Sequence, residues 1–206
     1  MTTRGRFITF EGIDGAGKSS HLDFACELVR AKGFEPQKTL EPGGTAFGQR
    51  MRDVILHEGT SALAEALAMF ADRAAHVEAA IAPALASGRW VICDRFSDST
   101  YAYQCGGRGL ERDVVVSLER LAHPGLQPDV TFLFDLDPAT AHERQAARSG
   151  ASDAFESRGL DYFVRVRNAY LERAREHASR IRVIDASGTL DEVRRRLATR
   201  LEEVLA

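Results

Sequence analysis

Short apolar runs alternate along the chain with longer segments whose apolar positions recur every three or four residues, the signature of strands alternating with helices. Phe7-Ile-Thr-Phe10 predicts a first strand, Gly12 to Gly17 a turn, and Lys18 to Lys32 a helix closed by Gly33. A second strand is expected around Pro36 to Leu40, then a break at Pro42-Gly43-Gly44 and a helix from about Phe47 to His57. After Glu58-Gly59-Thr60 an alanine-rich helix is expected from Ser61 to Ala86, stopped by Gly88. Trp90-Val-Ile-Cys93 is continuously apolar, as a strand buried on both faces should be. Helices at Glu111–Ala122, Pro138 to about Arg148, Leu160–His177 and from Leu190 onward enclose strands at Val130–Asp135 and Ile181–Ile184. Ser149 to Asp153 is small and polar, and no repeat or linker divides the chain. The pattern predicts one α/β domain over residues 1–206, a parallel sheet between two layers of helices.

Composition adds limits. The 206 residues suffice for one substantial core, and 44% hydrophobic with 28% charged residues is the profile of a globular protein. A formal charge of −3 argues against a nucleic-acid partner, so any bound anion must be held by local arginines and backbone amides. No apolar stretch approaches the roughly 20 residues that span a bilayer, which predicts no membrane partner. The first residues lack the apolar core of a signal peptide, and Cys26, Cys93 and Cys105 lack metal-ligand spacing. A cytoplasmic protein with reduced thiols is expected.

The most specific local chemistry is Gly12-Ile-Asp-Gly-Ala-Gly-Lys-Ser19, a G-x-x-x-x-G-K-[ST] loop placed between a strand and a helix. Its glycines let successive backbone N–H groups turn inward, and the helix amino terminus adds positive potential. Gly12, Ile13, Asp14, Gly15, Ala16, Gly17, Lys18, Ser19 and Ser20 are therefore expected to surround the phosphates of a nucleoside triphosphate. Lys18 is expected at the β- and γ-phosphates, and the Ser19 hydroxyl on Mg²⁺. Asp14 is unusual, because a carboxylate opposes anion binding; a contact to a sugar hydroxyl or a metal-bound water is the functional alternative to a solvated loop acid.

Three further segments fall at the carboxyl ends of strands, where open parallel sheets bind ligands. They are Glu41-Pro-Gly-Gly-Thr45, Asp94-Arg-Phe96 and Tyr101-Ala-Tyr-Gln-Cys-Gly-Gly-Arg-Gly109. No N-K-x-D guanine motif is present. Together with the phosphate loop, these segments strongly resemble the bacterial thymidylate kinases, from Phe7 into the last helix. The resemblance implies a P-loop NTPase-type fold with a five-stranded parallel sheet and a short lid over about 144–158. It also implies transfer of the γ-phosphate of ATP to dTMP with Mg²⁺, and a homodimer.

By the same resemblance, Glu41 orders the dTMP side of the cleft, Arg52 is a thymine contact and Arg73 is the monophosphate-site arginine. Arg95 sits on the acceptor phosphate, Asp94 faces the magnesium or its waters, and Asp14 is associated with the sugar of dTMP. Ser99, Tyr103 and Gln104 correspond to nucleoside contacts, with Gln104 nearest the base. The family's aromatic platform lies four residues before the arginine, where this chain has Met69; Phe70 is three residues before it, so the platform role stays open between them. Ala16 replaces the phosphate-loop arginine of some relatives, which implies an arginine supplied from the lid. Arg148 is the first candidate and Arg144, on the same helix face, the second. Relatives carry D-R-x-E beyond this point and this chain has Asp153-Ala-Phe-Glu156, leaving Arg158 as a compensating possibility. Two alternatives remain at this level. One is a kinase of another nucleotide or of a nucleoside, for which Glu41 would be the base; the other is an ATP-dependent switch without catalysis.

Overall fold

The computed structural model describes residues 4–57, 59–149 and 158–205, with the side chains of Arg148 and Ser149 outside the described set. Five strands, Phe7–Glu11 (β1), Pro36–Leu40 (β2), Trp90–Asp94 (β3), Val130–Asp135 (β4) and Ile181–Asp185 (β5), form one parallel sheet in the order β2-β3-β1-β4-β5. The central strands are apolar nearly throughout because helices cover both their faces, as the sequence pattern predicts. The edge strands are more polar, and Pro36 opens β2, where a missing N–H costs no ladder bond in the sheet interior.

The helices are Ser19–Ala31 (α1), Ala46–His57 (α2), Ala62–His76 (α3), Ala82–Ala86 (α4), Ser97–Thr100 (α5), Arg112–Ala122 (α6), Pro138–Ser149 (α7), Leu160–Glu176 (α8) and Leu190–Leu205 (α9). Ile8, Phe10 and Ile92 of the sheet share a core with Leu22 and Val29 of α1 and Leu197 and Leu201 of α9. Alternate residues Phe7, Val91 and Cys93 share a second cluster with Ile81, Leu85 and Phe96. Among the described residues no helix is long and apolar enough to cross a membrane.

Two departures from the sequence reading have local causes. The alanine-rich helix expected from Ser61 to Ala86 is interrupted by a π-helical turn, Val77–Ile81, where Ala82 N–H reaches back to Val77 O. Pro83 lies just beyond; its ring cannot continue a regular α-helical ladder, and a widened turn accommodates it. Tyr101–Gly107, which the pattern left without a helix, is π-helical and follows α5 directly. Its glycines mark close packing. A Cβ on Gly106 would lie 2.4 Å from Ala169 Cβ, and one on Gly107 would lie 2.5 Å from the Tyr162 ring, both on α8.

Candidate active site

The loop between β1 and α1 is shaped by close backbone approach. Gly12 has φ +136°, and a Cβ there would meet Phe134 O at 2.4 Å; Gly15 has φ +85°, and its Cβ would meet Ala141 O at 2.2 Å. Only glycine combines that φ with that proximity. Lys18 is buried, and its ammonium donates to Gly12 O at 2.8 Å and Ile13 O at 3.1 Å. Burial and the neighbouring Arg95 cation lower its pKa to about 8, against the pull of Asp94, Asp14 and Glu11. Ser19 Oγ donates to Asp94 Oδ2 at 3.0 Å, while Asp94 Oδ1 is buried without a partner among the described residues. That orphaned oxygen beside a hydroxyl suits a hard cation held chiefly by substrate phosphates and water. No described cluster of three or more His, Cys, Asp or Glu side chains forms an all-protein metal cage.

Just past β3, Arg95 adopts φ +73°, the only positive φ of a described non-glycine residue. Such a conformation persists only where surrounding contacts over-determine it, and here Glu11 supplies them. The Glu11 carboxylate accepts from Phe96 N at 2.7 Å, Ser99 Oγ at 2.6 Å and Tyr170 OH at 2.9 Å. Burial, reinforced by the Asp98 carboxylate, pushes the Glu11 pKa up to about 7 in spite of Arg95. The Arg95 guanidinium then projects beside the phosphate loop. One amino group reaches Ser99 Oγ at 3.0 Å and Tyr170 OH at 3.1 Å, the other Asp14 Oδ1 at 2.7 Å and Tyr103 OH at 3.0 Å. Burial raises the Asp14 pKa, but Arg95 and Lys18 outweigh it and hold the carboxyl at about 2, even though 45% of its side-chain surface is open to the cleft.

These groups line one cleft of about 890 Å³. It runs from Lys18, Ser19 and Asp94, past Arg95, Ser99 and Tyr103, to an inner end formed by Met69, Gln104, Glu65 and Arg158. Glu41 and Pro42 form a side wall; Arg52 braces it by donating to Pro42 O at 2.8 Å. Behind that wall Glu41 is buried, accepting from Arg73 Nε at 2.7 Å and His76 Nδ1 at 2.9 Å, and His76 Nε2 pairs with Thr39 Oγ1 at 2.7 Å. A second cavity of about 290 Å³ opens on the other side of the phosphate loop, between Gly15, Gly17, Ser20, Arg144, Gly188 and Thr189.

A thymidylate kinase family model matches residues 10–197. The thymidylate kinase of Thiobacillus denitrificans is 47% identical over 204 residues, spanning 99% of this chain and 100% of that protein. That of Burkholderia vietnamiensis is 49% identical over 207 residues, spanning 98% of each. Among solved structures, the thymidylate kinase of Ehrlichia chaffeensis matches with a TM-score of 0.79 at 31% identity, covering 97% of this chain and 99% of that one. This chain belongs to the thymidylate kinase family.

Within that family frame, the residues expected from sequence do not all reach the same surface. Asp14, Lys18, Ser19, Glu41, Arg52, Met69, Asp94, Arg95, Ser99, Tyr103 and Gln104 line the main cleft. Phe70 and Arg73 lie behind its wall: Phe70 stacks on His123 with ring centroids 6.1 Å apart, and Arg73 is fully buried, drawn inward by Glu41 and Thr100. Of the two residues left open as a platform, Met69 lines the cleft and Phe70 does not. Arg144 lies away from the cleft, donating to Ala186 O and Gly188 O at 2.9 Å each. The Arg148 side chain and the segment Asp153 to Glu156 fall outside the described residues. Arg158 reaches the inner end, donating to Tyr162 OH at 2.7 Å. Sequence reasoning missed Glu65, Glu11 and Tyr170. Glu11 directly precedes the first loop glycine, a position where an acid at a strand end was a signal to weigh.

Proposed function

We propose that this chain transfers the γ-phosphoryl group of ATP to dTMP, giving dTDP and ADP, in the supply of dTTP. The observation that carries the reading is the continuity of one cleft, from the phosphate loop through the Arg95 guanidinium to Met69 and Gln104. A monophosphate acceptor is already anionic near neutral pH, so no general base is required. The chemistry needs in-line placement and positive charge that lets two polyanions approach. Lys18 and Arg95 supply fixed charge on the donor and acceptor sides. Ser19 and Asp94 are the residues that would hold Mg²⁺ or its waters, and the ion would supply positive charge against the donor phosphates.

Adenine is assigned to the second cavity, where Arg144 braces the Ala186 and Gly188 carbonyls that form its wall. With Arg144 so engaged, Arg148 is the proposed arginine over the transferring group, on one domain with a lid over about 144–158. Arginines in that role contribute on the order of 10³–10⁵ in rate. Arg148→Ala is expected to lower kcat by about that order with ATP affinity little changed; a normal kcat removes Arg148 from the mechanism. The protein is proposed to work in the cytoplasm as a homodimer.

The deciding experiment is ADP release from Mg-ATP with dTMP, dUMP, dCMP, thymidine or no acceptor. Strong dependence on dTMP is expected. ATP binding without acceptor-dependent ADP release leaves the switch reading and removes the kinase.

A further inference from the structure

Gln104, 3% exposed, lies at the base end of the cleft, and its orientation decides which chemistry it offers. The two ends of a glutamine amide have nearly the same shape and opposite polarity, so the neighbour on one side fixes the atom shown on the other. That neighbour is Glu65 of α3. Gln104 Nε2 donates to Glu65 Oε1 at 2.7 Å. Arg108 donates to Glu65 Oε2, and Arg158 Nη2 stands 3.9 Å from that same oxygen. A carboxylate gripped by guanidinium groups has only lone pairs to offer, so the amide nitrogen must face it. Gln104 Oε1, an acceptor, is left for the ligand; no donor among the described residues is assigned to it.

We propose that Glu65 is a specificity-determining positioning residue: it locks Gln104 with its carbonyl oxygen available to the base, so the site selects a pyrimidine whose N3 carries hydrogen. Thymine and uracil meet that condition. Cytosine presents a lone pair at N3, which faces another lone pair and leaves a buried acceptor unpaired. The inference rests on the assignment of the nucleoside to this end of the cleft. It separates dTMP from dCMP, and it is silent on the 5-methyl group.

The test is equilibrium affinity for dTMP and dCMP by titration calorimetry in the wild type, Glu65→Gln and Arg108→Met, with melting temperature and ATP-analogue affinity as controls. In Glu65→Gln the partner can donate as well as accept, so Gln104 can turn. The dTMP-to-dCMP preference is expected to fall about tenfold or more, the consequence of no longer enforcing one buried hydrogen bond, with ATP-analogue affinity unchanged. Arg108→Met removes an ion-pair partner but keeps the acceptor, and is expected to retain the preference. An unchanged preference in Glu65→Gln overturns the proposal, as does an equal loss in Arg108→Met or a wild type that binds both nucleotides alike. Should Glu65→Gln not fold, the wild-type Gln104 side-chain amide decides by ¹⁵N NMR. Its protons must be protected from exchange before nucleotide is added; protection gained only with dTMP overturns the lock. Because affinity is the readout, loss of the kinase reading alone appears separately, as selective dTMP binding without acceptor-dependent ADP release.

Discussion

Lys18 is a buried cation waiting for anions, and its chemistry is expected to report their arrival. Burial and Arg95 hold its pKa near 8 in the nucleotide-free protein, below the usual lysine value of 10.5. Between about pH 8 and 10.5 the folded protein has released a proton that the unfolded chain keeps, so this group's contribution to stability rises with pH across that window. Phosphates reverse the balance by favouring the ammonium, so ATP binding above pH 8 must take up a proton and weaken as pH rises. Calorimetry at pH 8.5 in two buffers of different ionisation enthalpy is expected to show uptake of roughly half a proton or more; no uptake contradicts the perturbed lysine. The residues of this loop were legible because they are contiguous and their spacing carries a mechanism. Glu65 was not. It follows the Ser61 cap, whose Oγ accepts from Ala64 N at 3.2 Å, and an acid in the first turn of a helix reads as a partner for the helix dipole. Its role appears only when Gln104 and Arg108, some forty residues away, are folded against it.

The elements around the proposed acceptor end are held by small residues as much as by charges. Gly48 of α2 packs on α3 so closely that a Cβ would lie 2.1 Å from Asp72 Oδ1, the atom that accepts from Gly43 N at 3.3 Å. Gly48→Ala therefore pushes on a fully buried carboxylate and on the turn carrying Glu41 and Pro42. Overpacking of this kind costs about 1–3 kcal/mol, which lowers Tm by roughly 2–4 °C per kcal/mol in a chain of this size. The KM for dTMP is expected to rise while that for ATP holds, since the proposed reading puts the wall carrying Glu41, Pro42 and Arg52 on the acceptor side; a wild-type Tm with unchanged acceptor KM would sink the argument. Strand and helix alternation was readable because burial on two faces and on one stripe imprint different periods. The π-helical run through Gly106 and Gly107 was not legible for a physical reason: glycine marks both a chain break and a close helix contact, and only the presence of Ala169 and Tyr162 on α8 distinguishes them. The Pro83 effect was of the same kind, visible as a residue but not as the five-residue π turn Val77–Ile81 before it.

At the scale of the whole molecule, the strand order sets β1 at the centre of the sheet, so the phosphate loop divides the ligand edge into two sides. Leu63 and Leu67 on α3 and Leu121 on α6 leave apolar side chains exposed on two helices. They support the proposed homodimer, and sedimentation at micromolar concentration is expected to find two chains; a monomer there removes it. Gly15 and Gly17 border both the 890 Å³ cleft and the 290 Å³ cavity, so donor and acceptor are expected to meet at the loop without sharing space. Independent sites make a quantitative statement about stability. A ligand at 100 times its Kd that binds only the folded state adds about 2.7 kcal/mol to unfolding. With dTMP and a non-hydrolysable ATP analogue both present at that excess, the stabilisation is expected to approach about 5 kcal/mol, close to the two single shifts combined. Ligands that competed for one volume would give together no more than the larger shift alone. Thermal melting with each ligand and with the pair therefore tests whether the loop separates two sites or merely borders one.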